Sequence, residues 1–213
     1  MNPEEYDAWY RTPRGNWIGD TEYKLLQTLL QPEPGSNMID VGCGTGYFTR
    51  RFAMDGILVT GVDPNPSMID YAQLHRVEDE CYVRSDARAL PFPNRFFNYC
   101  IAVTSLCFME DQALAVSEMV RVTHGRIVLG LLNRNSLLYQ QKGKDGGSGA
   151  YQGAHWHTAS EVHQLFSNLP VKNLLIRSAI YLPSGSGFAR NIEKMLHHRP
   201  LLGGFLVVSG DIN

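Results

Sequence analysis

The sequence lacks any apolar run approaching the ~18 to 20 residues that a membrane-crossing helix needs, so no membrane span is expected. Its first residues, MNPEEYDAWYRTPRG, have neither the basic nor the apolar segment of a secretory leader, and the expected compartment is the cytoplasm. Charge of one sign is scarce too. Nineteen Lys and Arg stand against 21 Asp and Glu, a net charge of −2, and no basic cluster goes beyond Arg50-Arg51. The broad basic face on which nucleic-acid affinity rests is missing, so nucleic acid is not an expected partner. Cysteine is sparse. Cys43, Cys81, Cys100 and Cys107 form no C-x-x-C pair, which argues for reduced, structural thiols and against a zinc site or disulfide framework. Repeats are absent, and the one low-complexity stretch, 143–149, reads as a mobile loop.

What is there is a soluble globular composition: 44% hydrophobic residues, 20 Gly and 11 Pro in a chain of 213, enough for one domain with a sizeable core. Short apolar runs alternate with segments of helical periodicity. NMIDV (37–41) is stopped by GCGTG, and Tyr47, Phe48, Arg51, Phe52 and Met54 follow at near-helical spacing. Further strands are expected at 58–62, 81–84, 97–103, 126–132, 171–181 and 205–209. Helices are expected at 67–75, 111–123, 158–168 and 188–198, the third opened by a Thr158-x-x-Glu161 capping box. The span 133–157 reads as a long irregular insertion. Strands alternating with helices imply right-handed crossovers, hence an α/β fold with a doubly wound, mostly parallel sheet and helices on both faces.

In such a sheet ligands sit beyond the carboxyl ends of the strands, where strand order reverses. Gly42-Cys43-Gly44-Thr45-Gly46 falls at the tip of the first strand, where missing Cβ atoms let a ligand approach free backbone N–H groups. Asp63, at the tip of the second strand, is placed to accept both hydroxyls of a ribose. The dinucleotide pattern G-x-G-x-x-G requires a third glycine at 47, where the residue is Tyr. A nucleotide-cofactor oxidoreductase is therefore the runner-up.

The spacing G-x-G-x-G preceded by Asp40 resembles the first motif of the class I S-adenosylmethionine-dependent methyltransferases. The resemblance continues through MIDVGCGTGYFT, GVDPNPSMIDYA, SDARALPFPNRFFNYCIAVTSL and ALAVSEMVRVTHGRIVLG, in the family's order. The amino-terminal Tyr6, Trp9, Tyr10, Thr12, Pro13 and Gly15 look like those of a type 11-like, bacterial small-molecule subgroup. The resemblance implies a Rossmann-like seven-stranded sheet with its last strand antiparallel, and S-adenosylmethionine as cofactor, with S-adenosylhomocysteine as product. It implies that Asp40 suits the cofactor's ammonium and that Gly42, Cys43, Gly44, Thr45 and Gly46 line its methionine and ribose. Asp63 holds the ribose hydroxyls, Pro64, Asn65 and Met68 border the adenine, Asp86 and Ala87 contact its amino group, and Thr104 closes the methionine side. Bland readings stand beside these: Asp86 as a turn cap, Met68 as core, Cys43 as a space-filler. Two departures from the family pattern are Phe97-Asn98, where an aromatic-Asp pair is usual, and Val122-Thr123-His124-Gly125, where a Pro-Gly-Gly turn is common.

The chain then divides into an amino-terminal helical cap (1–36), a cofactor-binding half (37–132), an insertion or lid (133–157) and a carboxyl-terminal half (158–213) of a single domain. Tyr6, Trp9, Tyr10 and Trp156 are expected to roof a substrate pocket, and His155 is the candidate base. His155 and His157 would share one face of a strand, but no third ligand stands at a metal-binding spacing, so no metal is expected. The expected activity is methyl transfer to a small-molecule or lipid-like acceptor by a monomer or homodimer. Alternatives are a protein or RNA methyltransferase, or a non-catalytic cofactor-binding protein of the same fold.

Overall fold

The computed structural model describes residues 2–198 and 200–213. Two helices open the chain, α1 (Pro3–Tyr10) and α2 (Pro13–Leu30). Each starts with proline after a capping side chain: Asn2 accepts from the Glu4 N–H and Thr12 from the Gly15 N–H. There follow β1 (Asn37–Val41), α3 (Tyr47–Met54), β2 (Leu58–Asp63), α4 (Pro66–Leu74), β3 (Cys81–Arg84), β4 (Phe97–Val103), α5 (Gln112–Val122) and β5 (Thr123–Leu132). The remainder is α6 (Leu137–Lys142), α7 (Ala159–Phe166), β6 (Val171–Ala179), α8 (Gly187–Leu196) and β7 (Phe205–Ile212). The Thr158–Glu161 capping box forms at the start of α7.

The strands make one seven-stranded sheet in the order β3-β2-β1-β4-β5-β7-β6, with β7 antiparallel to both neighbours. Alternation along each strand divides the core in two. Ile39, Cys100, Ala102, Ile127 and Leu129 face one way and pack with Val116 and Met119 of α5 and Val162 and Phe166 of α7. Met38, Ile101, Val103, Val128 and Val207 face the other way and pack with Leu26 and Leu30 of α2 and Phe48 and Phe52 of α3. Helices thus cover both faces, and strand order reverses between β1 and β4. Among the described residues no helix is long and apolar enough to cross a membrane.

Boundaries differ from expectation where tertiary pairing extends or shortens an element. β5 begins at Thr123 directly after α5, with no intervening turn, and a register shift between Phe97 and Tyr99 absorbs the tight entry. The two departures from the family pattern meet here. Asn37 and Asn98 exchange backbone-to-side-chain hydrogen bonds across β1 and β4, 3.1 and 2.9 Å, and the Asn98 amide lies 3.2 Å from His124 Nε2. A Cβ at Gly125 would collide with the Asn98 carbonyl, which explains the glycine. β7 runs on to Ile212 because it is paired on both sides, β6 stops at Ala179, and the 133–157 span holds α6 and two single 3-10 turns rather than wholly irregular chain. All four cysteines are free, and Cys81 is exposed at the first position of the edge strand β3.

Candidate active site

The glycine loop turns by left-handed backbone at Gly42 (φ 74°), Gly44 (φ 53°) and Gly46 (φ 79°). Two of the three are dictated by packing: a Cβ on Gly42 would strike Ser105, and one on Gly46 would strike the Tyr82 hydroxyl. Gly44 differs. Nothing lies within 4 Å of where its Cβ would be, so its backbone is open to the cleft. The Gly44 N–H donates to Asp63 Oδ2 at 3.0 Å and the Asn65 N–H to Oδ1 at 2.9 Å, so both carboxylate oxygens are held by backbone with lone pairs left over. Burial raises the Asp63 pKa above its ordinary value while these bonds oppose the shift.

Asp40 is 2% exposed at the end of β1 and accepts a 2.7 Å hydrogen bond from the Thr49 hydroxyl of α3. Burial pushes its carboxyl up to about 7, and the nearby Asp63 charge adds to the effect. Burial also raises the Cys43 thiol well above its ordinary value, consistent with a space-filler and not with a nucleophile.

Around this loop lies a cleft of about 500 Å³ at the strand-order reversal. The structure brings Asp40, Gly42, Cys43, Gly44, Asp63, Pro64, Asn65, Met68 and Thr104 together on its wall, with Tyr6 and Tyr10 from the cap. Tyr47, Ser105, Phe108 and Met109 also line it and were not anticipated. Thr45 and Gly46 turn away from it, Thr45 fully buried with no partner for its hydroxyl among the described residues. Asp86 and Ala87 are absent from the lining. Arg88 grips the Asp86 carboxylate through Nε and Nη2 at 2.7 to 3.1 Å, holding its pKa down to about 2, and Ala87 is 6% exposed in the core beneath.

A second cavity, about 400 Å³, adjoins the cleft and shares Tyr6, Tyr10, Thr104, Phe108 and Ala150 with it. Trp9 and Tyr151 line it, as do apolar Ile18, Leu132, Leu138 and Ile180. The cap that roofs it is tied to the glycine loop and α3: Arg50 donates to the Thr45 carbonyl at 2.6 Å and to Asp7 of α1 at 2.8 Å, and Arg51 donates to Asp20 of α2 at 2.7 Å. From the insertion, Gly149, Ala150 and Gln152 reach the cleft and Ala150 and Tyr151 the cavity.

Two candidates are corrected. Trp156 is 4% exposed in the core behind Tyr151 and Tyr139, ring centroids 5.5 and 5.4 Å away, and lines neither cavity. His155 is exposed, its Nε2 4.0 Å from Glu161, and it too lines neither cavity; its backbone N–H donates to the Cys107 carbonyl at 2.7 Å. His157 is 1% exposed and donates from Nε2 to the Gln112 side-chain carbonyl at 2.9 Å. Burial depresses its pKa to about 4, so it is neutral and structural. What sequence reasoning missed is Glu22 of α2, a half-buried carboxyl on the wall of the second cavity.

Residues 39–129 match the family model described as "Methyltransferase domain". Somewhat under half of the chain thus matches a methyltransferase domain. Across the chain, a solved S-adenosylmethionine-dependent methyltransferase of Thermotoga maritima, described as a possible histamine N-methyltransferase, shares the fold. Its TM-score is 0.78 at 23% identity, covering 99% of this chain and 95% of that one. An uncharacterised Mycobacterium tuberculosis protein is 29% identical over 84% of this chain and 62% of its own length. A Yersinia pestis malonyl-[acyl-carrier protein] O-methyltransferase is 32% identical over 63% of this chain and 48% of its own length. The chain therefore spans about half to three-fifths of these curated relatives. The cofactor of the methyltransferase family is S-adenosylmethionine, and the cleft's residues fit it. The open Gly44 backbone admits a close ligand, the doubly held Asp63 carboxylate suits a ribose diol, and the buried Asp40 has one oxygen without a described partner for an ammonium.

Proposed function

We propose that this methyltransferase moves the methyl group of S-adenosylmethionine onto a small-molecule or lipid-like acceptor seated in the 400 Å³ cavity. The observation that carries this reading is that the cleft and the cavity share a wall made by Tyr6, Tyr10, Thr104 and Phe108. When bound, the cofactor supplies an electrophilic methyl group on a sulfonium. The chain's part is to hold: Asp63 and Asp40 orient polar ends, the cap and the 149–152 loop exclude water, and the aromatic wall positions the acceptor. Positioning of this kind can lower the barrier by roughly 7 to 11 kcal/mol. A cavity of this size fits a drug-sized molecule and not a folded macromolecule. The names of the Yersinia and Thermotoga proteins, one for a malonyl group carried on an acyl-carrier protein and one for a possible histamine acceptor, support a small methyl-accepting group without fixing its atom. The protein acts as a monomer or homodimer, and its acceptor is not nucleic acid. The test is S-adenosylhomocysteine release on incubation with S-adenosylmethionine and fractionated small-molecule extract. Release that requires the extract and is lost in Asp63→Ala is expected; release with none of the fractions would overturn the reading.

A further inference from the structure

Four charged residues line the acceptor cavity: Glu5, Arg14, Glu22 and Lys142. Glu5, Arg14 and Lys142 are exposed, and the Arg14 guanidinium already donates to the Pro183 carbonyl at 2.7 Å. Glu22 is different. It sits half-buried on the third turn of α2, and among the described residues its carboxyl has neither a hydrogen bond nor an ion pair. Its oxygens are not among the sealed, unpartnered polar atoms of the interior, so they reach the cavity's open space. Around them stand Tyr6, Trp9, Tyr10, Phe108 and Tyr151, whose ring faces attract a cation. A half-buried carboxyl without a partner in an aromatic-walled cavity is incomplete chemistry: a carboxylate there needs a cationic donor, and an anionic ligand would meet it with repulsion.

Resting on the methyltransferase reading above, we propose that the cavity accepts an amine carried on an apolar or aromatic body, and that Glu22 binds its ammonium and takes its proton. The ammonium N–H gives its proton to a Glu22 carboxylate oxygen, freeing the nitrogen lone pair. That pair forms the new N–CH3 bond as the S–CH3 bond breaks with its electrons remaining on sulfur. The methylated ammonium leaves, and Glu22 returns its proton to water. Desolvation supports the role, raising the Glu22 carboxyl to about 8, within reach of an amine. The other groups facing it do not titrate into this range from the aromatic side: burial raises the Tyr6, Tyr10 and Tyr151 hydroxyls above their ordinary value.

The test is calorimetric titration of the protein with benzylamine, phenethylamine and hexylamine between about pH 6 and pH 8, with phenethyl alcohol and phenylacetate as comparisons. At least one amine is expected to bind, about tenfold more tightly per pH unit as Glu22 ionises. Glu22→Gln is expected to weaken that binding about tenfold or more and flatten its pH profile, and Glu22→Asp to keep the slope. Binding of no amine, equal binding to Glu22→Gln, or tighter binding of phenylacetate would each overturn the proposal. S-adenosylhomocysteine is titrated into the same samples. Its unchanged affinity for Glu22→Gln shows an intact fold, whereas its failure to bind the unmodified protein would overturn the methyltransferase reading and leave the amine result to be judged by itself.

Discussion

Tyr10 of the amino-terminal cap stacks on Tyr47 of α3, ring centroids 3.7 Å apart and planes 11° from parallel. Tyr47 occupies the position where a dinucleotide-binding loop would have its third glycine, so the residue that excludes that motif is also the one that docks the cap. A Cβ on Gly19 of α2 would collide with the Tyr47 hydroxyl, which explains why the cap helix carries glycine there. Tyr10→Ala is expected to cost about 3 kcal/mol in urea unfolding, from lost burial and stacking, and to weaken S-adenosylhomocysteine binding because Tyr10 lines both cavities. A loss below about 1 kcal/mol would mean the cap is not fixed by this pair.

The glycine loop separates into structural and ligand-facing positions. Gly42→Ala drives a Cβ into Ser105, whose hydroxyl donates to the Val41 carbonyl at 2.6 Å, and is expected to destabilise the protein by about 2 to 3 kcal/mol. Gly44→Ala meets no atom and costs only the left-handed conformation, about 1 to 2 kcal/mol, yet it puts a methyl group where the ligand must approach. Thermal melts with and without S-adenosylhomocysteine distinguish them. Gly44→Ala is expected to lose most of the ligand-induced rise in Tm while remaining the more stable of the two.

Asp40, pushed up to about 7 by burial, is largely protonated in the empty cleft at mildly acidic pH. An ammonium brought against it favours the ionised form, so cofactor binding releases a proton below about pH 7 and tightens as pH rises to that point. Calorimetry in buffers of different ionisation enthalpy reads the released proton. Asp40→Asn is expected to abolish the release and weaken binding about tenfold or more.

Burial of Glu22 has a stability signature of its own. Its folded-state pKa of about 8 lies above the unfolded value of 4.5, so the folded state binds more protons between them. Its contribution is complete below about pH 4.5 and is lost as pH rises through about 8. Relative to Glu22→Gln, the unmodified protein is therefore expected to lose about 1 to 2 kcal/mol between pH 5 and pH 8, the figure reduced for water reaching the cavity. Parallel urea curves for the two proteins that stay a constant distance apart across this range would show that Glu22 is not desolvated.

Much of the fold was legible because parallel strands covered on both faces read as apolar runs: Asn37–Val41 and Phe97–Val103 lie where their composition put them. The cleft was legible where local sequence fixes local geometry, as in the glycine loop with Asp63, and at Asn65, which caps α4 by accepting from the Ser67 N–H at 3.0 Å. Side-chain pairing and burial were not. Arg88, two residues on, takes the Asp86 carboxylate, and Trp156 sinks behind Tyr139 and Tyr151, neither of which the motif pattern reveals. His155 drew notice as a histidine beside a histidine, while Glu22 sat unmarked in an amphipathic helix. Only the packing of α1 and the 149–152 loop around α2 turns that glutamate into a cavity wall.

The cleft beside Asp63 is expected to hold S-adenosylmethionine. Isothermal titration of S-adenosylhomocysteine and NAD into the protein and into Asp63→Ala tests it most directly. Micromolar binding of the sulfur ligand, absent for NAD and weakened at least about tenfold in the variant, is the expected result. Binding of NAD in its place, no binding of either, or S-adenosylhomocysteine binding untouched by Asp63→Ala would contradict the claim.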